Sequence, residues 1–173
     1  MPGAKPPGKR VIFIAHCFLN QFIRASGVRN LYKNRETALV IPLLKWAIRE
    51  NIALEQLPCP EIFCEEVNRK ASGKERYENP FYISVCKNLA RFIVDRIEKY
   101  LKARIKVIGI IGIEGSPSCD KDGIFMKEIR KELKRRKIYI PFLSIRPRSL
   151  RERIKITSFN FSIFKNSDIG DRV

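Results

Sequence analysis

An unbroken apolar run, VIGIIGI, occupies residues 107–113. Because polar and apolar side chains do not alternate in it, the run predicts a strand that is buried on both faces at the centre of a parallel sheet. Parallel strands need long crossover connections, which are usually helices. The run therefore favours an α/β fold, and 173 residues are enough for one such domain with a real core.

Local patterns predict further strands and helices around the central strand, which extends over Ile105–Ile113. The other predicted strands are Arg10–Ala15, Ile52–Leu57 and Ile138–Leu143. Predicted helices begin at Glu36, at Asn79 and at Ile124. The inner face of the first is expected to hold Leu39, Leu43, Ala47 and Ile48. The inner face of the second is expected to hold Val85, Leu89, Phe92, Ile93 and Ile97. This order predicts an open parallel sheet of about four strands, with helices on both faces and right-handed crossovers.

These patterns are confined to the middle of the chain. Residues 10–145 are predicted to form a single α/β domain, with a flexible leader at residues 1–9 and a basic tail of uncertain order at residues 146–173. No apolar run approaches the roughly 20 residues that a membrane helix needs, and the leader lacks the pattern of a signal peptide. We therefore expect a cytoplasmic protein without membrane contact.

The chain has a formal net charge of +17, which is large for its size. The positive residues concentrate in Met126–Lys137 and Arg146–Lys155. Such charge is typical either of a solvated Lys/Arg-rich surface or of contact with a polyanion such as RNA. The aromatic-glycine signatures of common RNA-binding modules are missing, so the charge alone does not identify a nucleic-acid partner.

The five cysteines make disulfides improbable, because their number is odd and a secretory signal is missing. None forms a C-x-x-C pair. Cys17, Cys59 and Cys119 each follow the end of a predicted strand, and the carboxyl ends of parallel strands meet at one edge of a sheet. The three side chains are therefore predicted to lie close together in one site. Cys86 is interpreted as a core residue, and Cys64 lies in a loop without an assigned role.

Three interpretations of this cysteine set remain open. The thiolates can bind three irons of a [4Fe–4S] cluster and leave the fourth iron open for substrate. They can bind zinc, with His16 or water as the fourth ligand. They can also be small buried apolar side chains. A cysteine hydrolase that uses Cys17 or Cys119 is disfavoured, because His16 is the single histidine and adjoins Cys17, and neighbours on a strand point to opposite faces.

The motifs HCFLN, LPCPE and GSPSC, which contain the three cysteines, occur in the same order and at the same kinds of place as in the thiouracil desulfurase family. The segment GIIGIEGSPSC, followed by GIFMKEIRKEL, is similar to the compact archaeal and bacterial relatives in that family. The resemblance spans about residues 11–143. It implies a Rossmann-like fold and an oxygen-sensitive [4Fe–4S] cluster, with Cys17, Cys59 and Cys119 as ligands.

The resemblance also implies an activity, which is removal of sulfur from a thiolated nucleobase or related thiocarbonyl compound at the open iron. Glu61 would then be the acid–base group, and Ser116 and Ser118 match the serines around the last cysteine. The high charge makes a thiolated tRNA base conceivable as substrate. The alternatives are a cluster-carrying or sulfur-trafficking protein without catalysis, and a basic RNA-binding protein whose cysteines are structural.

Overall fold

The computed structural model describes residues 8–26 and 37–145 of the chain. Four strands are present in this part: β1 (Arg10–Ile14), β2 (Ile52–Gln56), β3 (Lys106–Ile113) and β4 (Phe142–Ile145). Four α-helices connect or follow them: α1 (Thr37–Arg49), α2 (Pro60–Cys64), α3 (Pro80–Lys102) and α4 (Ile124–Arg135). Short 3-10 helices occupy His16–Phe18, Gln21–Ile23 and Lys74–Tyr77.

The four strands form one parallel sheet in the order β2-β1-β3-β4. Within it, Arg10 of β1 pairs with Ile52 of β2, and Ile110 of β3 pairs with Phe142 of β4. All side chains of β3 after Lys106 are buried, as the unbroken apolar run predicts. The predicted α/β fold with an open parallel sheet is confirmed.

Helices α3 and α4 pack against each other, and α1 contacts β2. Right-handed crossovers place α3 and α4 together on one face of this strand order and α1 on the other. The predicted inner face of α3 is confirmed at Ile93 and Ile97, and it is wrong at Phe92, which is 53% exposed. Val85 and Leu89 are partly buried, and the helix also buries Tyr82, Cys86, Ala90 and Val94. Helix α3 contacts both α4 and β3. Periodicity alone does not show which of its side chains face these two neighbours.

Ile48 on α1 was expected to be buried, but it is 79% exposed, and Trp46 packs into the core with Leu43 and Ala47. Leu39 lies among the residues whose side chains the structure does not describe. Helix α1 continues through Pro42.

Strand β4 begins later than predicted, at Phe142 instead of Ile138. Lys137 has a φ of 59° and ends α4 in the left-handed conformation, and the amide of Ile138 donates to the carbonyl of Leu133 at 2.9 Å. Residues 138–141 therefore belong to the connection that closes the helix. The short helix α2 was not predicted, because five residues are too few for a periodic pattern.

The predicted leader lies mostly outside the described residues, and the predicted tail, including Arg146–Lys155, lies wholly outside them. The division of the chain into leader, domain and tail therefore stays a prediction. Within the described ranges, no helix has the length and apolar character that crossing a membrane requires.

Candidate active site at the carboxyl edge of the sheet

A cavity of about 450 Å³ lies where β1, β2 and β3 end. The segment after each strand contributes one cysteine to its wall: Cys17 after β1, Cys59 after β2 and Cys119 after β3. The structure thus brings the three predicted cysteines to one cavity, although 102 positions separate the first from the last in numbering, from 17 to 119. Glu61 and Ser116 also line it, together with His16, Arg24, Arg69, Tyr77 and Glu114.

Local structure explains why each of the first two cysteines faces this edge. Cys17 lies in the 3-10 helix that starts directly after β1, and the amide of Ala15 still bonds to the carbonyl of Ile111 in β3 at 2.9 Å. Cys59 lies between Pro58 and Pro60 and precedes the first residue of α2. Proline suits the first helical turn, where no amide donor is needed, so the P-C-P sequence ends β2 and begins α2 at once.

The GSPSC segment folds back on the end of β3. Gly115 has a φ of +82°, which favours glycine, and its amide donates to Asp120 Oδ2 at 2.8 Å. Ser116 Oγ accepts hydrogen bonds from the amides of Ser118 at 3.3 Å and Cys119 at 3.0 Å. Ser116 therefore shapes the turn that presents Cys119 to the cavity, whatever contact it makes with a substrate.

Glu61 is at the centre of a buried polar network. Its carboxylate Oε2 accepts from Arg69 Nε at 3.0 Å and Arg69 Nη2 at 2.6 Å, and both side chains are buried. Arg69 Nη1 donates to the carbonyl of Ile23 at 2.8 Å, which ties the pair to the segment after β1. Burial acts to lower the pKa of Arg69, but the hydrogen bond and charge of Glu61 outweigh it, and the pKa is raised.

Ser118 reaches Glu61 from the opposite side of the carboxylate. Its hydroxyl donates to Glu61 Oε1 at 2.8 Å and lies 2.5 Å from the hydroxyl of Tyr82. Because the single hydroxyl hydrogen of Ser118 goes to Glu61, Tyr82 is the donor in the second bond. Ser118 is fully buried and does not line the cavity, so it acts on a bound molecule only through Glu61.

Burial makes the three thiols resistant to ionisation. Desolvation raises the pKa of Cys17 to about 12, and although Arg24 acts to lower it, the charges of Cys59 and Glu61 raise it further. The pKa of Cys119 lies well above its ordinary value because of burial and of its neighbours Cys17 and Cys59. Burial also raises the pKa of Cys59. Activated cysteine nucleophiles have lowered pKa values, so this electrostatic environment is unlike that of a cysteine hydrolase.

The two metal centres that the sequence suggests place different demands on the three cysteines. In residues 8–26 and 37–145, no group of three His, Cys, Asp or Glu side chains is arranged to hold a metal ion. A zinc site needs its ligands to converge on one ion. A four-iron cluster binds its cysteines through different irons, so its ligands surround a volume instead of a point. Three cysteines around one cavity are, in donor type and number, compatible with such a cluster.

His16 lines the cavity next to Cys17. Burial lowers its pKa, and Nδ1 is buried without a hydrogen-bond partner in the described part of the chain. Cys64 and Cys86 do not line the cavity. Cys86 is fully buried in the core, as predicted, and Cys64 is half-buried at the last position of α2 and not in a loop.

Sequence reasoning missed Arg69, which binds Glu61, and Tyr82, which binds Ser118 behind it. Arg69 lies in a charged segment of a chain with 35 Lys and Arg residues, so no sequence pattern distinguishes it from the other basic residues. Tyr82 is different, because the capping residue Asn79 accepts from its amide at 2.9 Å and fixes it in the first turn of α3. A helix that follows β2 begins near the carboxyl edge, and this placement was a usable signal for Tyr82.

Comparisons with known proteins give one informative similarity. No family model matches the chain, and no solved structure matches it either. The uncharacterized protein MJ0003 of Methanocaldococcus jannaschii is 35% identical to the chain over 138 residues, which cover 77% of the chain and 83% of that protein. Similarity of this extent shows common family membership, and the chain belongs to the same family as this archaeal protein.

Proposed function

We propose that the protein is an iron–sulfur-dependent desulfurase that removes sulfur from a thiolated nucleobase or a related thiocarbonyl compound. One observation carries the proposal. Cys17, Cys59 and Cys119, from three separate strand ends, line the same cavity as a glutamate that is fixed by buried hydrogen bonds. The resemblance of the motifs around these residues to the thiouracil desulfurase family supports the same conclusion.

Cys17, Cys59 and Cys119 would hold a [4Fe–4S] cluster, which supplies an open iron with affinity for sulfur. The overall change replaces C=S by C=O, consumes one water and releases hydrogen sulfide, so neither an oxidant nor a reductant is required. Glu61 is held with its carboxylate as a hydrogen-bond acceptor, and it can accept a hydrogen bond or a proton from a group in the cavity. Apolar side chains in the surrounding wall include those of Ile23 and Ile113.

Oxygen-free purification, followed by iron and sulfide analysis, tests the cluster. We expect about four irons per chain and a broad visible absorption band, both lost in Cys17→Ser, Cys59→Ser and Cys119→Ser. Cys64→Ser is the matched control, because Cys64 is half-buried and does not line the cavity. A protein that remains colourless after reconstitution with iron and sulfide would contradict the proposal.

Release of sulfide from 2-thiouracil or 4-thiouracil, with uracil as the second product, then tests the reaction. We expect Glu61→Gln to keep its iron and lose most of its sulfide release, since an amide cannot take up the proton. A cluster-loaded protein that releases no sulfide from any thiocarbonyl compound would instead favour a cluster-carrying or sulfur-trafficking role.

The surface of α4 was the second candidate site, as an RNA contact. Several of its basic side chains already bind acidic ones: Lys131 binds Glu128 at 2.5 Å, and Arg135 binds Glu132 at 2.5 Å. Arg136 binds Asp95 of α3 at 2.6 Å. These ion pairs account for part of the charge within Met126–Lys137 and favour the interpretation of α4 as a solvated, helix-packing face.

A further inference from the structure

The carboxylate of Glu61 has one acceptor position that no described donor occupies. An ionised carboxylate offers about four lone-pair positions and no hydrogen to donate. Oε2 accepts two hydrogen bonds from Arg69, and Oε1 accepts one from Ser118. The remaining position is on Oε1, and Glu61 lines the cavity.

Before any proton transfer, the network holds the carboxylate in the role of an acceptor. Tyr82 donates to Ser118, so Ser118 cannot turn its hydrogen away from Glu61 without losing a buried bond. Arg69 is tied to the carbonyl of Ile23 at 2.8 Å and so cannot move away from Oε2 independently. Three donors that converge on one carboxylate satisfy its ionised form. Glu61 therefore presents an acceptor to whatever enters the cavity.

We infer that Glu61 selects substrates that carry an N–H bond next to the thiocarbonyl carbon, as secondary thioamides and thiolactams do; this inference rests on the proposed function. Such an N–H donates to Oε1 and orients the thiocarbonyl beside it. An N-alkylated thioamide or a thionoester has no donor there and leaves a charged acceptor without its partner. A site built on a buried polar group discriminates strongly against the analogue that lacks the matching group.

The space and wall of the cavity suit such a ligand. The cavity without a cluster has a volume of about 450 Å³, within the range of small-molecule sites, roughly 300–1,000 Å³, and a bound cluster would fill part of it. Ile23, Ile113 and Pro117 supply apolar wall, and the Glu61–Arg69 pair is a buried polar group among the polar residues that also line the cavity. A flat heterocycle matches this wall, because its apolar faces can contact the apolar side chains while the N–H on one edge donates a hydrogen bond to Glu61.

Two isomers with the same formula separate the donor from size: 1-methyl-4-thiouracil and 3-methyl-4-thiouracil. The first keeps the N–H next to the C=S group, and the second carries a methyl group there. Equilibrium dialysis against the metal-free protein, read by the absorbance of the thiocarbonyl, measures both affinities without turnover. We expect the first isomer to bind at least about tenfold more tightly, the loss typical of a hydrogen bond to a charged acceptor.

In Glu61→Gln the two donors of Arg69 attract the amide oxygen, so the NH₂ group takes the place of Oε1. The substrate N–H then meets a donor, and we expect the two isomers to bind within roughly a factor of two of each other. Glu132→Gln is the matched control, since Glu132 is also a buried glutamate held by arginines and lies on α4, away from the cavity. It should keep the wild-type preference.

Equal binding of the isomers, binding of neither, or a preference that survives Glu61→Gln would overturn the inference. Failure of the proposed function has a different signature. If the protein prefers the N–H isomer but takes up no iron and releases no sulfide, the desulfurase proposal fails while selection by Glu61 stands. If the loaded protein releases sulfide equally from both isomers, the proposed function stands and selection by Glu61 is wrong.

Discussion

Replacement of Arg69 by methionine removes the cation that compensates Glu61 at the wall of the cavity. Arg69 and Glu61 are only 8% and 7% exposed. Two guanidinium nitrogens contact Glu61 Oε2 at 3.0 and 2.6 Å, and a third contacts the Ile23 carbonyl at 2.8 Å. Methionine keeps most of the apolar stem, so the substitution removes chiefly charge and hydrogen bonds and little volume.

The expected loss in the free energy of unfolding is about 3–5 kcal/mol, the typical cost of removing one partner from a buried ion pair. Most of that cost comes from Glu61, which stays buried without its cation, and the remainder comes from the Ile23 carbonyl. Domains of this kind are stable by about 5–15 kcal/mol, so Arg69→Met should fold but unfold at a much lower urea concentration. Arg69→Lys should recover part of the loss, because it restores the charge without the paired donors.

A double-mutant cycle isolates the pair. Arg69→Met combined with Glu61→Gln should be less destabilised than the sum of the single changes, with a coupling energy of at least about 1 kcal/mol. Arg76→Met is the matched control: Arg76 binds Glu65 at 2.8 Å in the same region, but its side chain is 55% exposed. A surface pair of this kind should contribute about 0–1 kcal/mol.

Urea unfolding of the metal-free proteins, followed by circular dichroism, compares the wild type and the five variants under the same conditions. The slope of free energy against urea should not change, because these substitutions alter neither the folded core nor its extent. A loss below about 1 kcal/mol in Arg69→Met, equal to that in Arg76→Met, or strict additivity in the cycle, would refute a buried, structurally required Arg69–Glu61 pair.

Three further predictions concern the loop after β3, the thiols and α4. Gly112→Ala places a Cβ 1.8 Å from the carbonyl oxygen of Cys119, so it should lower the free energy of unfolding by about 1–3 kcal/mol and reduce iron uptake. Gly8→Ala is the control, because its Cβ has nothing within 4 Å, and it should change neither quantity. Cys17 has a pKa of about 12 and should therefore resist alkylation in the metal-free protein at pH 8. Its alkylation rate, followed by peptide mass spectrometry, should rise roughly tenfold per pH unit up to that pKa. Alkylation as fast as that of free cysteine would contradict the burial of this thiol. The hydrogen bond from Arg135 lowers the pKa of Glu132 from 4.5 to about 2. The ionised Glu132 therefore stabilises the folded protein above pH 4.5, and this contribution is lost as the pH falls to 2. Glu132→Gln should lower the stability to urea at pH 7 and leave it nearly unchanged at pH 2.

The sheet and the placement of the cysteines could be predicted because both depend on short-range patterns and one topological rule. The apolar run at residues 107–113 indicated a central strand, and parallel strands bring their carboxyl ends to one edge. Cys17, Cys59 and Cys119 follow from that rule without any knowledge of side-chain packing. Boundaries were less predictable, since β4 begins only after the left-handed residue Lys137 has closed α4.

The polar network around Glu61 could not be predicted, because it depends on contacts between distant segments. Arg69 is eight residues from Glu61 and contacts a carbonyl 46 residues away, at Ile23. Ser118 is 57 residues from Glu61. A pattern of periodicity or spacing carries no information about such contacts. The motif GSPSC marked Ser118 as interesting but did not indicate that it lies behind Glu61, away from the cavity.

The charges in the wall also bear on the kind of group that the three cysteines can hold. Arg24 acts to lower the pKa of Cys17, and Arg69 acts to lower that of Cys59, but burial outweighs both, and each pKa is still raised. The guanidinium of Arg69 is, moreover, engaged by Glu61. Thiolates at these positions therefore need additional positive charge, and a bound metal supplies it, since a metal deprotonates the thiols that coordinate it. A catalytic thiolate would have to form without that help, so the same burial that disfavours a hydrolase is compatible with a metal centre.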